Sequence, residues 1–86
     1  MREIVGEPVQ VEALFQQGRI KPGYFAWQRR LYKVKGITGH WSVADGFFRN
    51  HHFTVLTGEP NLYELAFSTQ SLRWELVCIY HESCEF

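Results

Sequence analysis

Alternation of apolar and polar residues is the main structural feature of this chain. From Val9 to Phe15 every second residue is apolar, which predicts a strand with one buried face. The alternation returns in "FFRNHHFTVLT", in "LYELAFS" and in "LRWELVCIYH". Helical spacing fits these segments less well. In the last segment the residues in phase, which we expect to face the core, are Leu72, Trp74, Leu76, Cys78 and Tyr80.

Turn-forming residues separate the predicted strands. The glycines and proline of "GRIKPG" predict a turn or an edge segment over 18–23, and "GEPN" predicts another turn. "YFAWQ" and "RLYKVKGI" are two β-rich runs that meet at 28–30, so we expect a tight hairpin there, although the favoured Asn-Gly pair is missing. Gly39 and Asp45-Gly46 mark "TGHWSVADGF" as a loop, in which 42–45 could form a helical turn.

These elements predict an all-β fold in one domain over 1–86. Five to six short strands joined by short turns indicate an antiparallel meander. A flat sheet would expose too much aromatic surface, so we expect the meander to curl into a small barrel or roll. Residues 1–7 and 82–86 are the segments expected to fray.

Composition places the chain among ordinary globular proteins. It is 45% apolar with a formal net charge of zero, and no apolar run approaches the roughly 18–20 residues that span a bilayer. "MREIVGEPVQ" lacks the apolar stretch of a signal peptide, which favours a cytoplasmic location away from membranes. Two late cysteines form no disulfide framework.

Charge is unevenly distributed along the chain. Six basic residues and no acidic one lie between Ala13 and Ala44, whereas 50–86 carries five glutamates against Arg73 alone. On a strand, side chains two residues apart share a face at about 7 Å, so the lysines at 33 and 35 would lie side by side near the hairpin arginines. Such a row suits the phosphates of single-stranded or duplex DNA. The candidate DNA-binding residues are Arg29, Arg30, Lys33, Lys35 and Arg49.

The same charges have a simpler explanation, since lysine and arginine on an outer face keep a sheet edge soluble and block unwanted pairing. We favour that explanation because the near-neutral pI of 6.9 lacks the basic character of a dedicated nucleic-acid binder.

An aromatic cluster gives a second candidate surface. Trp41, Phe47 and Phe48 lie among glycines and polar residues, where a core position is less certain than in the strands. They suit contact with a protein partner or with a second copy of the chain. The alternative is that Trp41 and Phe48 cap one end of the barrel.

Catalytic and metal-binding patterns are weak. His51 and His52 are adjacent, so on a strand their rings point to opposite faces. Cys78, His81 and Cys84 are spaced three apart, but no CxxC pair supplies the four ligands of a zinc site. No nucleophile elbow, HExxH or phosphate-binding glycine loop is present. We therefore expect no enzyme activity, no metal and no cofactor.

A set of strand residues carries a resemblance to a known family. These residues are Pro8-Val9, Phe25-Ala26-Trp27, Tyr32-Lys33-Val34, Trp41, Tyr63-Glu64-Leu65 and Arg73-Trp74-Glu75-Leu76. Together they resemble an uncharacterised family of small bacterial all-β proteins. Similar segments are also found appended to proteins related to translesion DNA polymerases, which implies a link to DNA repair or replication. The family pattern has no catalytic residues, and glycine is common in it at the hairpin centre, where this chain has Gln28-Arg29-Arg30.

The sequence thus favours a non-enzymatic interaction module that uses an edge strand and the aromatic segment 40–48. The alternative is a nucleic-acid-binding accessory domain that uses the basic hairpin 29–35.

Overall fold

One antiparallel β-sheet accounts for most of the chain. In the computed structural model, which describes residues 1–81, the sheet has seven strands rather than five or six, and the predicted all-β fold is confirmed. None of these residues forms a helix, so none forms one able to cross a membrane. The expected fraying of 82–86 lies outside the described residues. The strands are β1 (Arg2–Gln16), β2 (Arg19–Trp27), β3 (Arg30–Lys33), β4 (Gly36–Asp45), β5 (Phe48–Leu56), β6 (Leu62–Ser68) and β7 (Trp74–Tyr80).

The strand order is that of an up-and-down barrel left open at one place. Neighbours follow β3-β2-β1-β7-β6-β5-β4, so β3 and β4 are consecutive in the chain but form the two edges. The N–H of Val34 donates to the carbonyl of Gly23 in β2, whereas that of Lys35 donates to Leu56 in β5. The chain therefore passes from one half of the sheet to the other without β3 pairing with β4. The predicted closure into a barrel does not occur.

β1 belongs to both halves of the sheet. As far as Val9 it pairs with β7, and from Gln10 onwards it pairs with β2. Its register shifts between Ile4 and Glu7, where Gly6 has a φ of 64° that favours glycine. Residues 1–7, expected to fray, contain the beginning of this strand.

Two-residue turns connect the hairpins of the first half. Gln28 and Arg29 both have positive φ, 52° and 63°, which matches a type I′ turn. The predicted hairpin is therefore present, although neither residue is the glycine or asparagine that this turn prefers. Gln17 and Gly18 form the β1–β2 turn in the same way. Beyond Gly18, the segment predicted as a turn or an edge is part of β2, between β1 and β3.

Segment 36–45 is strand β4 and not the predicted loop. The glycine at position 39 has a steric explanation, because a Cβ built on Gly39 would lie 2.7 Å from Thr54 Oγ1 on the neighbouring strand. The register shifts beside it, between Ile37 and Gly39. Asp45 and Gly46 do lie at a turn, where Gly46 has a φ of 63°. The suggested helical turn at 42–45 is absent.

A bulge in β7 reverses the side to which its last residues point. Leu76 pairs with a core residue of β6 and Cys78 pairs with Glu64, which leaves Val77 without a partner in β6. As a result Ile79 faces the core, while the thiol of Cys78 contacts Glu64 on the outer face. Cys78 is buried, as the alternation predicted, but the bulge turns its thiol to Glu64 and away from the core cluster that contains Leu76.

Aromatic side chains join the two halves inside the curled sheet. Phe25 of β2 stacks on Tyr32 of β3 with ring centroids 4.8 Å apart, and both rings contact Tyr63 of β6. Side-chain packing thus links β2 and β3 to β6, although no backbone ladder does. The buried cluster comprises Phe25, Tyr32, Phe53, Val55, Tyr63, Leu65, Phe67, Trp74, Leu76 and Ile79.

Candidate interaction surfaces

The β4–β5 hairpin presents the aromatic residues that the sequence singled out. Phe47 lies in its turn with a relative exposure of 103%, and Trp41 and Phe48 are 42% and 41% exposed. The indole of Trp41 stacks on the ring of His52, with centroids 5.4 Å apart and planes 8° from parallel. All three aromatics therefore lie at the surface, on strands and a turn.

β4 is also an edge strand that, apart from the register shift beside Gly39, lacks the usual protection against pairing. It pairs with β5 alone, so its other edge carries no strand among the described residues. From Gly36 to Ala44 it contains no lysine, arginine, acidic residue or proline. The opposite edge, β3, has only four residues, two of which are Arg30 and Lys33. Short, charged edge strands resist pairing with another chain, whereas long, uncharged ones permit it. Of the two edges, β4 is therefore the one more prone to pair with another strand.

The basic hairpin does not form one uninterrupted row. Arg29 lies in the β2–β3 turn and is exposed, as predicted for a hairpin end. Arg30 instead lies on the side of Tyr32, with its guanidinium 4.9 Å from the centre of that ring, and forms an ion pair with Glu59. The charge of Arg30 is therefore partly compensated within the chain.

The other predicted basic residues are also spread apart. Lys33 is exposed on the side of β3 opposite Tyr32. Lys35 lies beyond the end of that strand, where its side chain runs beside Gly58. Arg49 belongs to the β4–β5 hairpin and donates from Nη1 to Ser42 Oγ at 3.1 Å. The five basic residues therefore do not lie in one row.

A buried carboxylate on the outer face of the sheet escaped the sequence-based prediction. Glu64 is 7% exposed and is the one charged residue among the buried residues of 1–81. Its Oε1 accepts hydrogen bonds from the Tyr80 hydroxyl at 2.8 Å and the Cys78 thiol at 3.4 Å. Its Oε2 lies 3.0 Å from His52 Nδ1. The bulge in β7 turns Cys78 and Tyr80 to this face. The alternation of apolar and polar residues in the sequence gives no sign of the bulge.

This cluster is suited to stabilising a buried charge. Hydrogen bonds with Cys78 and Glu64 raise the pKa of Tyr80 to about 12. Burial raises the pKa of the Cys78 thiol, and the charge of Glu64 raises it further. A thiol with a raised pKa is a poor nucleophile at neutral pH. Among residues 1–81 no group of three or more His, Cys, Asp or Glu side chains is arranged to hold a metal ion.

A groove opens where β1 separates from β7. It has a volume of about 970 Å³ and is lined on one side by 8–12 of β1 and 24–26 of β2. Leu72, Arg73 and Trp74 line it from the turn before β7. A shallower extension reaches the β2–β3 turn and includes Arg29.

Comparison of the chain with protein-family models, curated proteins and solved structures finds no match. The resemblance to the family of small bacterial proteins therefore stays a prediction.

Proposed function

We propose that this chain is a non-enzymatic interaction module that self-associates by pairing β4 with β4 of a second copy. The observation that carries the proposal is the free edge of β4, which is ten residues long and uncharged from Gly36 to Ala44. An exposed edge of this kind pairs readily with another strand. In a twofold contact the same edge serves both copies, so no second surface is needed.

The charges at the ends of β4 favour a second copy as the occupant. In an antiparallel pair centred on His40, Asp45 of each copy lies beside Lys35 of the other. The two like charges of the Asp45 residues stay at opposite ends of the interface. Electrostatic complementarity of this kind fixes register more than it adds affinity.

Exposed apolar side chains supply the burial that such a contact needs. Val43 is exposed on β4, and Phe47 projects beyond its end. In the same register Val43 of one copy lies opposite Ile37 of the other, and both side chains are exposed. Removing such apolar area from water supplies the main favourable free energy of association.

Sedimentation velocity over a range of protein concentrations tests this proposal. Wild type is expected to form a dimer, and Asp45→Lys or Lys35→Asp alone to weaken the dimer by about tenfold. The double variant, with both charges exchanged, restores complementarity and is expected to recover most of the affinity. A double variant as weak as the single ones would exclude the antiparallel register.

Matched lysine substitutions separate this edge from the other one. Val43→Lys places a charge on β4 and is expected to abolish the dimer, whereas Leu31→Lys on β3 is expected to leave it intact. Circular dichroism of both variants checks that they fold. A wild type that stays monomeric at every concentration would overturn the proposal.

DNA binding by the basic segment is the competing function and has its own experiment. Fluorescence anisotropy of labelled single-stranded and duplex DNA is measured at low and moderate salt, with wild type and a variant carrying alanine at Arg29, Arg30, Lys33 and Lys35. Salt-dependent binding that the variant loses would favour the accessory-domain function. Absence of binding by folded wild type would exclude DNA binding, and self-association through β4 would remain as the proposed function.

A further inference from the structure

The backbone of β1 loses a strand partner where its two halves meet. The β1–β7 ladder ends with the pair Val9 and Trp74, and from Gln10 onwards β1 pairs only with β2. The chain before β7 turns away, and the N–H groups of Ser68 and Leu72 bond within the β6–β7 turn. The edge of β1 that faced β7 is therefore without a strand partner from Gln10 onwards, among the residues that the structure describes.

The groove lies along this free edge. Its walls near β1 and β2 include Val11 and Ala26, and Leu31 extends the apolar surface. The groove follows residues 8–12 of β1 over about 13 Å, and the part from residue 10 onwards, which lies on the free edge, can take a few residues of extended chain. A strand-like ligand placed here could bond to the backbone of β1 and put alternate side chains into the groove.

Two arginines give the groove a charge preference. Arg29, from the β2–β3 turn, and Arg73, which directly precedes β7, line the same extension of the groove. Within residues 1–81 neither guanidinium forms an ion pair or a side-chain hydrogen bond, in contrast to Arg30 and Arg49. Glu12 is the acidic residue that lines the other end. An arginine without a partner is well suited to bind a carboxylate in bidentate geometry.

Leu72 is a strained residue at the groove wall. Its φ is 59°, a left-handed conformation that a large L-residue adopts at a cost, and its side chain is 71% exposed. Neither the turn nor the core requires a leucine at this position, because the side chain is outside the buried cluster. An apolar ligand group packed on this side chain would account for its exposure.

We propose that this groove binds an extended peptide in which acidic and apolar residues alternate. The peptide adds as a strand to the free edge of β1, its carboxylates lie at Arg29 and Arg73, and an apolar side chain packs on Leu72 and Ala26. This site is separate from the β4 edge and does not depend on self-association.

Fluorescence anisotropy with a labelled octapeptide of alternating valine and glutamate tests the proposal. Binding is expected for this probe and not for the matched peptide of alternating valine and lysine. Arg29→Glu combined with Arg73→Glu is expected to weaken binding at least tenfold. Arg19→Glu, an exposed charge reversal at the beginning of β2, is the matched control and leaves affinity unchanged.

Two further measurements distinguish peptide addition from loose charge attraction. Leu72→Gly keeps the backbone conformation and removes the apolar group, so affinity is expected to fall severalfold while the fold is retained. Hydrogen exchange of the β1 amides over 10–12 is expected to slow with peptide, and that of β4 to stay unchanged. Equal binding of both peptides, unchanged affinity of the double arginine variant, or protection confined to β4 would each overturn the proposal. Binding of single-stranded DNA in preference to the glutamate peptide would do so as well.

Discussion

Tyr80 lies opposite Leu62 in the β6–β7 ladder, yet its hydroxyl reaches diagonally to Glu64 and donates a 2.8 Å hydrogen bond. The diagonal contact exists because the bulge at Val77 moves the end of β7 relative to β6. It completes a set of donors from three residues around one buried carboxylate. Several stability predictions can be based on this arrangement.

Loss of the Glu64 carboxylate is expected to be costly. Glu64→Ala leaves the Tyr80 hydroxyl and the His52 ring without their acceptor, so the free energy of unfolding should fall by about 3 kcal/mol. Urea unfolding followed by tryptophan fluorescence measures the change. Glu75→Ala, on the exposed part of β7, is the control and should stay within about 0.5 kcal/mol of wild type. A Glu64 variant as stable as this control would mean that the cluster contributes nothing.

Alkaline pH is expected to destabilise the protein through Tyr80. The pKa of this group is about 12 in the folded protein against an ordinary value of 10.0 for tyrosine, so the folded state favours the protonated hydroxyl. Its contribution to stability is complete below pH 10 and is lost as the pH rises towards 12. Urea unfolding at a series of pH values should therefore show a decline that Tyr80→Phe makes shallower. Part of the decline should remain in that variant, because burial also raises the pKa of Tyr63.

An identical decline in wild type and Tyr80→Phe would contradict this assignment. Absorbance of ionised tyrosine provides a second measurement, because the late ionisation step should disappear in the variant.

Residues better suited to the β2–β3 turn should stabilise the hairpin. Gln28→Asn with Arg29→Gly supplies the pair that type I′ turns prefer, and we expect a gain of about 1 kcal/mol. For a domain of this size that corresponds to a rise of about 4–8 °C in Tm. Arg30→Gly, whose φ is not in the left-handed region, is the control and should lower Tm. No gain in the double variant would argue against the turn geometry.

Leu72→Gly should stabilise the fold even though it removes an apolar side chain. Removing the strain of the left-handed leucine raises the free energy of unfolding by about 1–2 kcal/mol. The greater conformational freedom of glycine in the unfolded chain offsets about 0.5–1 kcal/mol of this gain. Thermal unfolding should therefore show an unchanged or higher Tm. Leu65→Gly, in the core, is the contrasting substitution and should unfold the protein or lower Tm strongly. A marked loss of stability in Leu72→Gly would mean that the side chain has a packing role.

The sequence predicted strands well where one face is buried along the whole element. In β6, Tyr63, Leu65 and Phe67 all lie in the core, as their alternation indicates. It failed at β4, where an edge strand exposes most of its residues, so no apolar face is selected and Gly39 resembles a loop residue. The physical reason for that glycine is a steric contact with Thr54, which depends on a strand that sequence spacing cannot place.

The candidate sites were less predictable than the fold. Alternation placed Cys78 in the core, and only a one-residue bulge, set by pairing with Glu64, sends it to the other face. The partner of Arg30 lies 29 positions away at Glu59, a separation that leaves no local pattern. Long-range pairs of this kind decide which charges are free to bind ligands.

The pairing of β1 with β7 also determines when the protein can fold. Arg2 pairs with Tyr80, so the first half of β1 lacks its partner until β7 has been synthesised. Contacts between residues so far apart in sequence slow the search for the native state. During synthesis the exposed edges of β1 are open to wrong partners. We therefore expect the β4–β5 and β5–β6 hairpins to form before β1 pairs with β7.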